Sequence, residues 1–155
     1  MKVNVVEATS AADKAANEEF RGEHVEEGDR VLYGEESDLD WSAERYVLIA
    51  RDAKTSGMGA ILGSATAWHI GGVAKITDLL VSPAARRKGI AQAIVEVFET
   101  RARESGCHRL HAVTVAGSGA EAFWKAMGWK VSAKLDDHYF HRDHVVMTKS
   151  LAPAK

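Results

Sequence analysis

Residues 78–93 read DLLVSPAARRKGIAQA, and this stretch decides the fold. The apolar residues up to Val81 predict a strand, Pro83 breaks it, and the pattern that follows predicts a helix beginning near Arg87. Backbone N–H groups in the first turn of a helix have no intrahelical acceptor, and the helix dipole adds about half a positive charge there. The stretch therefore predicts a strand, a turn and a helix start that together can hold an anion.

The turn carries three adjacent cations, Arg86, Arg87 and Lys88. Cations are unfavourable at a helix N-terminus unless an anion is bound beside them. Gly89 and Ala91 lack bulky side chains, so a ligand can approach the backbone. We interpret the turn as a cradle for a diphosphate, and a basic helix start with small residues for packing is the alternative. The sequence contains neither a Walker loop nor a dinucleotide-binding fingerprint.

Three segments together resemble the GNAT N-acetyltransferase superfamily. Arg86-x-x-Gly89-x-Ala91, directly after a strand, is similar to its acetyl-CoA-binding motif, Arg/Gln-x-x-Gly-x-Gly/Ala. Residues 122–129, AFWKAMGW, resemble the AxxFYxxxGF-like helix and turn of the family. Residues 146–151, VMTKSL, resemble its closing strand. The similarity is good over residues 62–151, whereas residues 1–44 resemble the family only in pattern.

The resemblance implies acetyl-CoA as a co-substrate and assigns roles to individual residues. The pantetheine arm would pair with the backbone of Leu79 and Val81, and amides from Arg87 to Gln92 would hold the pyrophosphate. The amide of Leu79 would donate to the oxyanion that forms on the thioester carbonyl. The complete set implied for binding the coenzyme is Leu79, Leu80, Val81, Arg86, Arg87, Lys88, Gly89, Ile90, Ala91, Gln92, Gly117, Phe123 and Trp124.

Apolar periodicity and turn signals predict a mixed α/β sheet with helices packed on it, in the order β-α-β-β-β-α-β-α-β-β. The family resemblance implies that the central sheet is splayed. We expect one domain over residues 1–155, with an N-terminal strand and acceptor-side helices in 1–44, a coenzyme-binding core in 45–151 and a tail in 152–155. The predicted strands cover residues 3–6, 46–50, 58–70, 73–81, 108–115, 129–134 and 139–147. The predicted helices run from an N-cap at Ser10 to about Glu19 or beyond, from near Arg87 to Gly106, and over residues 120–127. Residues 18–40 are predicted to form short helices and loops, 54–57 a turn, and Gly71-Gly72 a tight hairpin.

Candidates for acid–base chemistry are few. Asp78, just before the expected oxyanion donor, is the candidate base, and an ordinary strand-edge acid is the alternative. Many small-molecule members of the family carry a tyrosine where this chain has Trp124 and an asparagine where it has Gly117, so the usual acid for the leaving group is missing. The sequence offers three substitutes: Tyr139, His111 and Ser118.

Histidines 138, 141 and 144 raise the question of a metal site. Side chains alternate along a strand, so a strand over residues 139–147 would turn His141 away from the other two. We therefore predict no metal ligands, and we interpret these histidines as half-exposed residues, one of which, or Tyr139, can line the acceptor site. Cys107 is interpreted as a small packed residue rather than a nucleophile.

The composition argues against several classes of protein. Lys plus Arg number 20 and Asp plus Glu 22, a net charge of −2, which argues against a general nucleic-acid binder. The single cysteine excludes an internal disulfide framework. Residues 1–20 show no signal peptide, and no apolar run is long enough to span a bilayer, so we expect a cytoplasmic protein without a membrane partner.

The first functional hypothesis is an N-acetyltransferase that acts on a primary amine by direct attack. Residues 18–40 carry ten acids and two basic residues, which favours a cationic small molecule or peptide as acceptor; a solvated acidic surface is the alternative. The second hypothesis is a CoA-binding regulatory module with little catalysis, and the third is an anion-binding domain unrelated to CoA. Many relatives are dimers, so the resemblance also implies a homodimer.

Overall fold

The computed structural model describes residues 3–35, 39–52 and 59–152. The chain forms two compact units, Met1–Asp40 and Trp41–Lys155. The first contains one helix, α1 (Ala11–Tyr33). The second contains the strands β1 (Glu44–Arg51), β2 (Ile61–Ile70), β3 (Val73–Val81), β4 (Arg109–Val115), β5 (Lys130–Leu135) and β6 (His144–Ser150), with the helices α2 (Ile90–Glu104) and α3 (Gly119–Ala126).

Two predictions for the first unit are wrong. Residues 3–9 form no strand, because the three valines there are exposed and pair with no strand among the described residues. Residues that were predicted to be short helices and loops form the second half of α1, which Ser10 caps by accepting from the amide of Asp13 (3.0 Å). Gly22 and Gly28 lie inside this helix, where each costs about 1 kcal/mol relative to alanine, and this is too little to break it. Gly34 ends the helix.

Strands β1, β2 and β3 form an antiparallel meander, which includes the predicted hairpin at Gly71-Gly72. Gly71 and Gly72 make the tight turn between β2 and β3 with φ angles of 55° and 75°, which side chains rarely adopt. Gly63 in β2 allows a close backbone approach, because a Cβ there would lie 2.9 Å from the Leu80 carbonyl oxygen and 3.0 Å from Ile90. The predicted turn 54–57 and the first residue of the predicted second strand, Met58, lie outside the described residues.

The six strands form one mixed sheet in the order β1-β2-β3-β4-β6-β5, which confirms the predicted fold class. The parallel pairing of β3 with β4 covers only three residue pairs, the last of which is Lys75 with His111. Beyond that pair the two strands separate while β4 goes on pairing with β6 up to Val115 and His144. The sheet is therefore splayed in its centre, as the resemblance implied.

The last strand differs from its prediction, because β6 begins at His144 and not at residue 139. Tyr139–His141 form a 3-10 turn in which Phe140 and His141 both have positive φ angles. The amide of Asp137 donates to the carboxylate of Asp143 (2.9 Å), which closes this turn. Local side-chain to backbone bonding of this kind competes with strand pairing.

Helix α2 packs on one face of the sheet through Ile94, Val95 and Phe98. Its Glu99 is buried and accepts from the indole Nε1 of Trp129 (2.9 Å) and from the Lys149 ammonium (2.8 Å). These contacts connect α2 to β6 and to the turn after α3. No helix in the described part of the chain combines the length and apolarity needed to cross a lipid bilayer.

Candidate functional site

The separation of β3 from β4 opens a cleft of about 460 Å³. One wall is the second half of β3, the opposite wall is the second half of β4, and α3 closes one side. Several residues predicted from the sequence line it: Asp78, Leu79, Leu80, Val81, Arg86, Ala91, Phe123 and Trp124. The lining also includes residues that the sequence analysis did not single out: Ile76, Thr77, Ala112, Val113, Thr114 and Ala120.

A β-bulge lies in β3 beside this cleft. Ser64 of β2 pairs with Leu80 and Thr66 pairs with Thr77, so Ala65 alone stands opposite both Asp78 and Leu79. Asp78 has a φ angle of 52°, the left-handed conformation that the extra residue requires. A bulge removes a residue from the regular ladder and re-aims the backbone there, so neither Asp78 nor Leu79 takes part in the regular one-to-one register of β2 and β3.

The carboxylate of Asp78 is exposed at the cleft. The hydroxyl of Thr77 donates to it over 3.2 Å and lies 3.4 Å from the Thr66 carbonyl oxygen. Sequence reasoning found Asp78 but missed Thr77, whose place beside it depends on the bulge. The arrangement puts a backbone amide and a carboxylate next to each other on the wall of the cleft.

The turn between β3 and α2 borders a second cavity, of about 400 Å³. A 3-10 turn at Pro83–Ala85 precedes it, and α2 begins at Ile90, three residues later than predicted, because Gly89 takes the left-handed N-cap conformation (φ 77°). The first bond of the helix runs from the Ala93 amide to the Gly89 carbonyl (2.9 Å). The amides of residues 90–92 precede that bond and have no intrahelical acceptor. The cavity is lined by Val81, Ala85, Arg86, Arg87, Gly89, Ile90, Ala91, Gln92 and Phe123.

Two predicted residues stand apart from these cavities. Lys88 lines a different depression, together with Ser82, Ala84 and Asp52. Gly117 is not in the lining of either cavity, and its amide donates to the carboxylate of Glu121 (2.6 Å). This bond and a hydrogen bond from Lys125 lower the pKa of Glu121, with the Lys125 bond the larger cause. Sequence reasoning missed this contact, in which Glu121 of α3 accepts from the loop that precedes the helix.

The side chain of Trp124 is buried and packs against Trp129, with 4.5 Å between ring centroids. It also meets Phe123 edge-on at 5.2 Å. Phe123 lines both cavities, so its ring is part of the wall that they share, whereas Trp124 lines only the cleft. An indole N–H does not titrate, so Trp124 contributes shape and no acid to the cleft.

None of the three substitute acids is among the residues that line the two cavities described above. Ser118 caps α3 by accepting from the Glu121 amide (3.3 Å), and its hydroxyl donates to the Val115 carbonyl (2.6 Å). Tyr139 is exposed and contacts the rings of His138 and His144. Burial, and to a smaller degree the charge of Lys75, lower the pKa of His111. The lowered pKa leaves less protonated His111 available as an acid than the sequence implied.

The histidines near the C-terminus are not arranged as expected, because residues 139–141 are not in a strand. His138 and His144 meet edge to face at 5.5 Å, and His141 pairs with Asp137 (2.8 Å). Among the described residues, no group of three His, Cys, Asp or Glu side chains is placed to hold a metal ion. Cys107 is buried, and this burial raises the pKa of its thiol.

Comparison with known proteins gives consistent results at three levels. The family model described as "Acetyltransferase (GNAT) family" matches residues 11–129. A D-amino-acid N-acetyltransferase of Saccharomyces cerevisiae is 27% identical over 114 residues, which are 72% of this chain. The chain spans 57% of the length of that relative.

Solved structures share the fold. An acetyltransferase from Bacillus cereus superposes with a TM-score of 0.69 at 18% identity, over 96% of this chain and 98% of that chain. The ribosomal-protein-S18-alanine N-acetyltransferase of Escherichia coli superposes with a TM-score of 0.61 at 16% identity, over 99% of this chain and 97% of that chain. At these identities, the likeness shows a common architecture.

Proposed function

The chain belongs to the acetyltransferase (GNAT) family, and from that premise we propose that it transfers an acetyl group from acetyl-CoA to a primary amine by direct attack. The observation that carries the proposal is the splayed sheet. The bulge in β3 and the amide-rich start of α2 border two cavities that share Val81, Arg86, Ala91 and Phe123. A thioester and a diphosphate joined by one extended arm need two adjoining sites of this kind.

The start of α2 has the chemistry that a diphosphate requires. The amides of residues 90–92 precede the first helical hydrogen bond, and the positive end of the helix dipole adds to them. Arg86 and Arg87 border the same cavity, and the Arg86 Nε donates to the Val81 carbonyl (3.3 Å), which holds its guanidinium at the end of β3. Gly89 has open space where a Cβ would be, so its backbone is accessible to a phosphate.

The bulge supports the assignment of the Leu79 amide as oxyanion donor. A carbonyl oxygen gains negative charge when the amine attacks, and an amide already aimed at it stabilises that charge without rearrangement. The Asp78 carboxylate, beside this amide, is proposed as the base that takes the proton of the amine, directly or through water. The acceptor is an ammonium with a pKa near 10, so removal of a proton is required before attack.

The departing thiolate needs no dedicated acid. Its unperturbed pKa is about 8.5, so it tolerates its charge near neutral pH and can take a proton from water. The reaction can therefore proceed with Trp124, which packs against Trp129, at the position where many small-molecule members of the family carry a tyrosine.

The acceptor is proposed as a primary amine on an amino acid, a peptide or a small cation. The acidic residues of the segment 18–40 support a cationic acceptor. The name of the Saccharomyces cerevisiae relative, which acts on D-amino acids, supports a free amino acid. A homodimer and a cytoplasmic location are further proposals that come with the family.

The direct test is acetyl-CoA consumption with a panel of amines, followed as release of free thiol. We expect turnover on at least one amine, and we expect Asp78→Asn to lower kcat while the Kd for CoA stays within about twofold. Thr77→Val is the matched variant, because it removes the hydroxyl that contacts Asp78 and keeps the carboxylate. Saturable CoA binding without turnover on any amine would instead support a CoA-binding module, the function that Trp124 and Gly117 suggest.

A further inference from the structure

One row of side chains crosses the whole sheet at the point where β3 and β4 separate. The strand registers place its members side by side, one from each strand: Arg45, Trp68, Lys75, His111, Thr148 and Lys130. Their chain neighbours, such as Ala67, Ala74 and Leu110, are buried in the core with α2. Because side chains alternate along a strand, the row lies on the face of the sheet opposite α2.

The centre of the row is positively charged. The Lys75 ammonium lies 4.7 Å from the centroid of the Trp68 ring, and the Arg45 guanidinium carbon lies 5.3 Å from it. Arg101 and Lys149 in the same unit have carboxylate partners, whereas the described residues place no carboxylate oxygen within 4.0 Å of Lys75. Lys75 also lies close enough to His111 for its charge to lower the pKa of that imidazole, although burial is the larger cause.

This charge lies close to the cleft. Lys75 and His111 are the last paired residues before the strands separate, and Thr77 and Val113, two residues further on, line the cleft. Two residues along a strand span about 7 Å, and Lys75 is about 10–13 Å from the backbone of Leu79, allowing for the bulge. A lysine side chain reaches about 6 Å, so its ammonium can meet a group 5–10 Å from the proposed acetyl position.

We propose that Lys75, with Arg45 beside Trp68, binds a carboxylate of the acceptor, so that the acceptor is an amine carrying a carboxylate 5–10 Å away, as in a dipeptide or a long-chain amino acid. The inference rests on the proposed function and specifies its substrate. The coenzyme cradle lies at the start of α2, on the α2 face. The amine therefore approaches from the opposite face, where the row lies. An acceptor that carries both an amine and a carboxylate differs from the purely cationic acceptor that the acids of residues 18–40 favour.

The test compares two acceptors that differ only in the carboxylate, 6-aminohexanoate and 6-aminohexanamide. We expect the wild-type kcat/KM to favour the carboxylate about ten- to hundredfold, the usual worth of a hydrogen bond to a charged group. Lys75→Met keeps the stem over Trp68 and removes the charge, and it should bring this ratio close to one. Lys134→Met removes an exposed lysine of β5 outside the row and should leave the ratio unchanged.

Equal or reversed preference in the wild type overturns the inference, and so does a Lys75→Met enzyme with an unchanged ratio. If neither amine is acetylated, the proposed function fails for this pair, and calorimetry then tests the row alone. The CoA-saturated protein should bind 6-acetamidohexanoate at least tenfold more tightly than its amide, with the difference lost in Lys75→Met. Equal binding of the two overturns the inference.

Discussion

Replacing Gly89 by Asp or by Asn separates charge from shape at the proposed diphosphate cradle. Gly89 has a φ angle of 77°, and a Cβ there would meet no atom within 4 Å. Asn and Asp are the side chains that tolerate the left-handed conformation best, at a cost of about 1 kcal/mol. Both variants should therefore fold with nearly the same stability, while differing by one negative charge at the start of α2.

The expected difference in CoA affinity follows from Coulomb's law. A carboxylate about 4–6 Å from a phosphate repels it by about 1 kcal/mol in water and about 3–4 kcal/mol at the effective dielectric of a protein surface. The cavity is open to solvent, so we take an intermediate value of about 1.5–3 kcal/mol, which is roughly ten- to hundredfold in Kd. Gly89→Asp should bind CoA that much more weakly than Gly89→Asn. Gly89→Glu, with a longer acid, should lose CoA binding while keeping the fold.

Isothermal titration with CoA measures this difference, and thermal unfolding of the two variants shows that the fold is equally stable. The difference should shrink between 0.05 and 0.5 M salt, because the screening length falls from about 14 Å to about 4 Å, close to the distance between the charges. If Asp and Asn variants bind CoA equally at low salt, the diphosphate does not lie at the start of α2, and the assignment of the cradle is wrong.

Three further predictions concern stability. Gly63→Ala should destabilise the fold by about 1–3 kcal/mol, a fall in Tm of several degrees, because its Cβ would lie 2.9 Å from a carbonyl oxygen. The control is Gly119→Ala, which has open space for a Cβ and should be neutral or stabilising. Equal Tm values for the two variants would contradict this prediction. Lys149→Met leaves the buried Glu99 carboxylate without its cation and should lower the free energy of unfolding, measured in urea, by about 2–4 kcal/mol. Adding Glu99→Gln to this variant should restore most of the lost stability, because no buried charge is then left without a partner. The pKa of His111 is lowered in the fold, so as the pH decreases below about 6.5 the unfolded chain takes up this proton before the folded chain does, and the free energy of unfolding decreases. His111→Gln should show a smaller decrease in the free energy of unfolding between pH 7.5 and 5.5. Parallel curves of unfolding free energy against pH for the two proteins would refute the argument.

The parts of the fold that the sequence predicted are those set by residues close together in the chain. Pro83 and Gly89 determine the turn before α2, Gly71-Gly72 the hairpin between β2 and β3, and Ser118 the start of α3. Each signal acts within about four residues, through a fixed dihedral angle or a capping bond. The residues of the coenzyme cradle could be proposed from the sequence for the same reason, since they are contiguous in the chain.

The predictions that failed are those in which one local preference competes with another. Gly22 and Gly28 favour breaks in the segment 18–40, yet their cost is small beside that of interrupting a capped helix. Apolar residues near 139 favour a strand, but the Asp137 amide donates to the Asp143 carboxylate and the His138 amide to the Arg142 carbonyl, and these bonds close a turn instead. The bulge at Asp78 had no sequence signal at all, because it exists only in the pairing of β3 with β2.

The charge of the proposed acceptor site illustrates the same limit. Counting along the chain finds acids concentrated in residues 18–40, and that count favours a cationic acceptor. The cations of the cross-strand row come from Arg45, Lys75 and Lys130, which lie up to 85 positions apart in the sequence and are brought into one row only by the register of the sheet. A net charge of −2 is compatible with a positive surface beside the cleft, since the total does not specify where charges meet. The charges that lie within a few ångströms of the acceptor determine which acceptor binds. The strand registers, which show where these charges lie, are therefore a better guide to the sign of the acceptor's charge than the count of acids along the sequence.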